Sequence, residues 1–404
     1  MLLDDVEGWL RRDAGDMLVA LRRLPSSAER AAVRVRLHPA AGELEVAADE
    51  EGRVMAVGST AEVGPGYHTY VAHLLRRLGT DNGIAWAPAD DDAGTGDLTG
   101  FFESGRRRDA ELPLLAWLRD ALKRACDQRG SGGQPVQLIG STTDRFTFDG
   151  AIATPLGPRD DAWLSEAVAN PRVAVEIWPW FADVTDARYL LNRALATMWT
   201  EIRWRPAIEE GEPAVVDGVL RLLRRAFPLE PSLPYPWREW KELLDIAGDR
   251  DPMRDRVERE AAAAPDGPRI GYRRRPVRVE QAGWQLTIPG SFATVRTSEE
   301  LRASEGDRTI TVAASPTGTE SGPMPAETFL DRIAAHLGPD VLRYRDGELQ
   351  ARARLAIDPT AVVQRFVLEG YSAVTGSGAA IRIVIHDAAD RDWALDMWRS
   401  LRPA

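Results

Sequence analysis

Residues 341–357, VLRYRDGELQARARLAI, carry the reading from which the fold follows. Tyr344 alternates with Arg343 and Arg345, then Leu349, Ala351 and Ala353 alternate with Gln350, Arg352 and Arg354. That period of two is the spacing of a strand with one buried face. Between the two runs stands Asp346-Gly347, which supplies the positive φ that a tight hairpin turn needs. Two further strand patterns follow, VVQRFVLEGYSAVT (362–375) and AAIRIVIHD (379–387). The segment therefore predicts a run of antiparallel strands joined by short turns.

Upstream, GWQLTIPG (283–290) alternates and ends at Pro289, and residues 292–315 predict two more strands joined near Gly306. A helix is expected over 326–337, with Phe329, Leu330, Ile333 and Leu337 on one side and Gly338 as its stop. A last helix holds Trp393, Met397, Trp398 and Leu401. The order is β-β-β-α-β-β-β-β-α, an antiparallel sheet with helices on one or both faces. With GWQLTIPGSF at its start, the mid-domain helix, the paired strands and RIVIHDAADRDWALDMWRSLR (382–402) at its close, residues 282–402 resemble the small α/β domains of the Mog1/PsbP-like group. The resemblance implies a binding or accessory domain rather than an enzyme, and brings no catalytic set with it.

The first 250 residues read as a separate α+β region, which divides into two subdomains if the flexible stretch 128–135, QRGSGGQP, is a break. Residues 3–24 suggest two short helices. Val33, Val35 and Leu37 alternate with Arg34, Arg36 and His38, and residues 31–58 predict three antiparallel strands whose wet faces carry the latter residues. Helices are expected over 65–79, ending at Gly79, over 112–127 with Pro113 in the first turn, over 185–203, and over 213–227 and 237–247. Residues 87–109, rich in Asp and Gly, read as an exposed loop. Residues 251–280 have charge runs and few apolar positions, as expected of a linker, with residues 281–404 forming the last domain. The fold class is α/β in the α+β sense: a mixed or antiparallel sheet with packed helices, then an antiparallel α/β sandwich-like domain.

The chain has 404 residues, a net charge of −11 and one cysteine, Cys126. The acidic balance disfavours nucleic acid and anionic lipid as partners, which need a positive field. A single thiol excludes an internal disulfide and thiolate zinc sites. Cys126 lies near a helix C-terminus, whose dipole raises rather than lowers a thiol pKa. The start, MLLDDVEGWLRRDAGDM, is acidic and amphipathic rather than signal-like, and no apolar run is long enough to cross a membrane. A cytoplasmic protein is the expectation.

His68 and His73 fall on one helix five residues apart, about 500° around the axis, so they do not face one another as a ligand pair would. A metal site would need a third ligand, for which the acid-rich loop 89–97 is the candidate; structural histidines are the plainer reading. GPGYH (64–68) lacks the lysine and the glycine spacing of a phosphate loop, and Pro65 removes a donor. Arg193 and Glu201, near Trp199 and Trp204, suit an ion-pair network, one wall of a ligand cleft, or an acid/base pair. Arg273–Arg275 and Arg106–Arg108 are the basic runs, read as solvated charge or a dock for an acidic partner. Thirteen tryptophans are many for this length, and Trp178, Trp180, Phe181, Tyr235, Trp237 and Trp240 form an aromatic group suited to a core or a protein interface.

No cofactor motif is present. The expected function is a non-enzymatic interaction or adaptor subunit of a multiprotein assembly, with another protein as partner. The alternatives are an enzyme of unrecognised type, a hydrolase being one form, with its site in residues 1–250, and a small-ligand sensor.

Overall fold

The computed structural model describes residues 2–24, 31–87, 96–130, 136–148, 150–248, 251–319 and 322–404. The protein is a mixed α/β chain, with helices and several antiparallel sheets. Its residues fall into two compact units. The first comprises residues 1–142, 148–202 and 213–271, and the second 143–147, 203–212 and 272–404.

In the first unit a four-stranded antiparallel sheet runs in sequence order through Ala20–Arg23, Ala31–Arg36, Leu44–Ala48 and Val54–Val57. Val33 faces Val46 on the buried side, while Arg34 pairs with Glu45 at 2.8 Å on the other. The first strand stands where a second short helix was expected. Gly15 turns left-handed at φ 51°, the helix Leu2–Asp13 ends, and the backbone of Ala20–Arg23 gains ladder hydrogen bonds along Ala31–Arg36 instead. His38, expected on the wet face, is fully buried. The strand stops at Arg36, and residues 38–41 fold inward, with the Ala40 N–H donating to His38 Nδ1 at 3.1 Å and the Ala41 N–H to the His38 carbonyl.

The helix Pro65–Asn82 runs past Gly79 and stops at Gly83, which is left-handed. Gly79 instead makes room for Trp86, whose indole N–H donates to the Leu75 carbonyl at 2.8 Å. The helix Arg107–Gly130 begins a turn and more before the predicted start, so Pro113 lies inside it. Leu114, Leu118, Leu122 and Ala125 of this helix pack with Ile152, Leu164, Ile177 and Trp178 into one core cluster. Helices Ala187–Thr200, Glu212–Leu229 and Trp237–Ala247 lie close to their predicted positions. Asp186 caps the first of these by accepting from the Tyr189 N–H. The expected break at 128–135 is helical as far as Gly130, and residues 131–135 lie outside the described residues.

The stretch 251–280 is not the bare linker its charge suggested. It holds the helix Arg254–Ala263 with Val257 fully buried, then a buried Tyr272 and the strand Val277–Gln281. Its alanine-rich stretch suits a helix, but one buried valine in that helix is too sparse for a periodic signal of burial.

In the second unit seven antiparallel strands lie in the order Ala293–Arg296, Glu300–Glu305, Arg308–Pro316, Ser377–Ile385, Phe366–Val374, Leu349–Ile357, Leu342–Asp346. Gly370 opposes Ile381, and a Cβ there would press on Trp398 of the helix Arg391–Ser400. Ala373 opposes Gly378, where a Cβ would press on Phe329 of the helix Ala326–Ile333. Positions 370 and 373 point to opposite faces, so each helix covers one face of the sheet. A smaller sheet joins Arg402–Pro403, Trp284–Ile288, Val277–Gln281 and Arg145–Phe146. The last of these strands comes from the middle of the chain, so the unit is wider than residues 281–404.

The opening hairpin is as its sequence demands. Asp346 pairs with Leu349 and Gly347 has φ 61°. Gly347→Ala is expected to lower the unfolding free energy of this unit by about 1 kcal/mol, read by urea denaturation, because a Cβ is strained at positive φ. No change would mean that the turn relaxes at no cost.

Candidate functional site

A cavity of about 600 Å³ lies within the first unit, among the loop after Val54–Val57, the helix Pro65–Asn82, the segment 96–103 and the start of Arg107–Gly130. Leu44, Val71, Leu75, Trp86 and Trp117 make much of its wall. Four of its polar lining residues, Thr60, His68, Asp97 and Thr99, stand in one hydrogen-bonded row.

Local structure puts each of them there. Gly64 adopts φ 109° and starts the helix at Pro65, so His68 stands in the first turn beside the preceding loop. Thr60 Oγ1 lies 2.9 Å from His68 Nδ1. Asp97 caps the short helix Phe101–Ser104 by accepting the N–H groups of Thr99 at 2.9 Å and Phe102 at 2.7 Å. Thr99 Oγ1 stands 2.8 Å and 2.9 Å from the two Asp97 oxygens and 3.0 Å from His68 Nε2. Asp97 itself is 3.4 Å from that nitrogen.

These contacts fix the direction of the row. The Thr99 hydroxyl donates to the Asp97 carboxylate, so its oxygen accepts from His68 Nε2–H. Nδ1 is then left to accept from the Thr60 hydroxyl. Burial pushes the Asp97 carboxyl up, but the hydrogen bonds it receives from His68 and from the Thr99 and Phe102 amides outweigh it and hold it far below the ordinary value. A proton taken from Thr60, or from a water in its place, would leave an imidazolium beside a fixed anion.

His73 is not part of this row. It is exposed, with its ring edge-on to Phe101 at 5.6 Å, while His68 stands edge-on to the same ring at 5.9 Å. Of the loop named as a source of a third metal ligand, residues 89–95 lie outside the described residues. Asp97 does reach His68, but among the described residues no three His, Cys, Asp or Glu side chains group as a metal site.

Arg193 and Glu201 do not meet. Glu201 pairs with Arg36 at 3.1 Å, while Arg193 is buried, donating to Tyr189 Oη at 3.0 Å and the Met17 carbonyl at 3.3 Å. His38 lies in the same interior, its ring 6.4 Å from that of Tyr189. Burial first, then the charges of Arg193 and Arg36, hold the His38 pKa well below the usual value, so it is neutral.

The six aromatic residues form two groups. Trp178 and Trp180 are 2% and 3% exposed and lie under the Gly64–Gly66 turn, with Phe181 half-exposed beside them. Tyr235 and Trp240 are buried with Phe227, and Trp237 stacks on Trp240 at 5.4 Å. The expected interface is thus mostly interior: Trp178, Trp180, Tyr235 and Trp240 offer no surface to a partner.

No family model matches the chain, and no curated protein matches it. Among solved structures, a crystal structure from Bacteroides thetaiotaomicron VPI-5482 is similar at 8% identity over 30% of this chain and 46% of that one, with a TM-score of 0.25. This chain therefore spans less than half the length of that neighbour, and so low a score carries no inference about fold or activity. Among the described residues, no helix is long and apolar enough to cross a membrane.

Proposed function

We propose that the first unit is a small-molecule binding module, whose ligand is mostly apolar and presents one hydrogen-bonding group to Thr60 and His68. The supporting observation is the cavity itself: about 600 Å³, with aliphatic and indole groups in its wall and four of its polar side chains in one hydrogen-bonded row. That size suits a molecule of drug-like dimensions. The reading belongs to the sensor class rather than the adaptor class. Docking of another protein, suggested by the tryptophan content, now rests on Phe181 and Trp237 alone among the six aromatics. For the second unit, the Mog1/PsbP-like resemblance supports an accessory role, and its helix-covered antiparallel sheet is compatible with that inference.

A thermal-shift screen of the intact protein against small apolar alcohols, ketones and carboxylic acids tests the proposal. A ligand at a hundred times its Kd is expected to add about 2.7 kcal/mol of stability. Thr60→Val should weaken that ligand about tenfold, the loss of one hydrogen bond. A screen without any shift, and without a change in tryptophan fluorescence from Trp86 and Trp117, would remove the proposal.

The hydrogen-bonded row favours one further reading, an acyl-transfer or hydrolytic enzyme with Thr60 as nucleophile and His68 as its base. Turnover of activated esters that survives Thr60→Ser and is lost in Thr60→Val would select it over passive binding.

A further inference from the structure

One face of the seven-stranded sheet in the second unit is covered by a helix too short for it. Ala326–Ile333 has 8 residues and is about 12 Å long, whereas the seven strands span roughly 30 Å. The helix packs on Tyr371, Ala373 and Ala380. Two residues further along those strands the face is open. There Arg302, Thr311, Arg382, Glu369 and Arg354 stand opposite one another in turn, a single rung across neighbouring strands. Arg382 is two residues from Ala380, and Glu369 two from Tyr371, so the rung lies on the same face as the helix.

Arg302, Arg354 and Arg382 are exposed, and among the described residues none of their side chains has a hydrogen bond or an ion pair. Glu369 stands between Arg382 and Arg354 and feels the charge of Arg382. Its carboxylate is nevertheless engaged elsewhere, accepting from Tyr371 Oη at 2.6 Å and lying 2.8 Å from His336 Nε2. The next rung, beneath the helix, differs: Arg352, opposite Tyr371, pairs with Asp331 of that helix at 2.6 Å. The unpaired cations therefore lie where the covering helix does not reach. In a chain of net charge −11, they reverse the sign of the surface along one line.

We propose that this rung docks an acidic segment of a partner protein, which lies extended across the strands with a carboxylate at every third residue. The three arginines stand two strands apart, about 10 Å from one to the next, and an extended chain covers that distance in three residues. Half-buried Val367 and Val384, opposite each other on the adjoining rung, give the intervening residues an apolar seat. Charge complementarity of this kind selects the partner and sets its register. A nucleic-acid single strand fits less well, since the rung has no aromatic ring on which a base could stack.

Fluorescence polarisation of the intact protein tests this, with a labelled peptide of about twelve residues that carries glutamate at every third position and serine or valine between. It should bind at least about fivefold more tightly than a peptide of the same composition with its glutamates in one block, and binding should weaken with salt. Arg382→Gln and Arg354→Gln should each weaken it about threefold, the range for an exposed charge pair, and the double variant about tenfold. The melting temperature should stay unchanged, because neither side chain holds the fold together. Arg221→Gln, at an exposed arginine of the helix Glu212–Leu229, should bind like the parent. The proposal is overturned if the two peptides bind alike, if the double variant binds like the parent, or if Arg221→Gln weakens binding as much as Arg382→Gln. It is equally overturned if an oligothymidylate single strand binds more tightly than the spaced peptide, or if neither peptide binds below about 1 mM.

Discussion

Replacing Gly66 by alanine is expected to destabilise the first unit by at least about 3 kcal/mol, the upper range for forcing an atom into a packed interior. A Cβ at this position would overlap the Ala182 carbonyl oxygen and lie 2.5 Å from Cδ1 of Trp180. Neither neighbour has room to give. The Gly66 N–H already donates to the Trp180 carbonyl at 3.1 Å, and Trp180 is packed against Tyr189 with ring centres 4.4 Å apart. Gly42→Ala is the control, since nothing lies within 4 Å of its would-be Cβ. Urea denaturation followed by tryptophan fluorescence reads both. If Gly66→Ala falls within about 1 kcal/mol of the control, the close seat of the helix on residues 180–182 is wrong.

The second large effect is expected at Asp97. Its carboxylate caps the helix Phe101–Ser104, accepts from Thr99 and faces His68, with its side chain 12% exposed. Asp97→Asn should cost about 2 kcal/mol at neutral pH, the range for hydrogen bonds to a buried charge. The sign of its pH dependence follows from the depressed carboxyl. A folded-state value below the ordinary 3.8 gives stability that is fully present above that pH and fades as pH falls toward the folded value. The gap between parent and variant should therefore be constant from pH 7 to about pH 5 and shrink below about pH 4. Denaturation midpoints at pH 7, 5 and 3 measure it. A gap that stays the same at pH 3 would show that the carboxyl is not held in its charged form.

Much of the second unit could be read directly from its residues. Asp346-Gly347 with alternation on both sides specifies a hairpin almost unaided, because the turn and the two runs agree. The helices of the first unit were equally plain where leucines recur at helical spacing. Strand Ala20–Arg23 was not, since LRR satisfies a helix as well as it satisfies an edge strand, and only the partner Ala31–Arg36 decides between them. The cavity was less legible still. His68 stood out, but threonine has no periodic or compositional mark, so Thr60 and Thr99 gave no warning. Asp97 lay in a tract of aspartates and glycines where no single acid is distinguished. His38 was misplaced because the alternation of Val33, Val35 and Leu37 appears to continue through it only if the strand does. In sequence the aromatic group suits a core or a partner surface, and in the structure four of its six rings fill the interior, Trp178 and Trp180 against Gly64 and Gly66.

The second unit takes residues 143–147 and 203–212 as well as its long final segment. Phe146 stacks on Tyr272 at 5.1 Å, and Arg145 pairs in register with Arg278. As the chain leaves the ribosome, these early pieces emerge well over a hundred residues before the strands that complete their unit. They must stay unpaired until the last third is synthesised, which makes the final assembly slow and its intermediates exposed. It also sets a rule for dissection. A fragment cut at residue 272 omits the edge strand Arg145–Phe146 and the acid Asp144, so its failure to fold would reflect the missing pieces and not an intrinsic weakness of the C-terminal sheet.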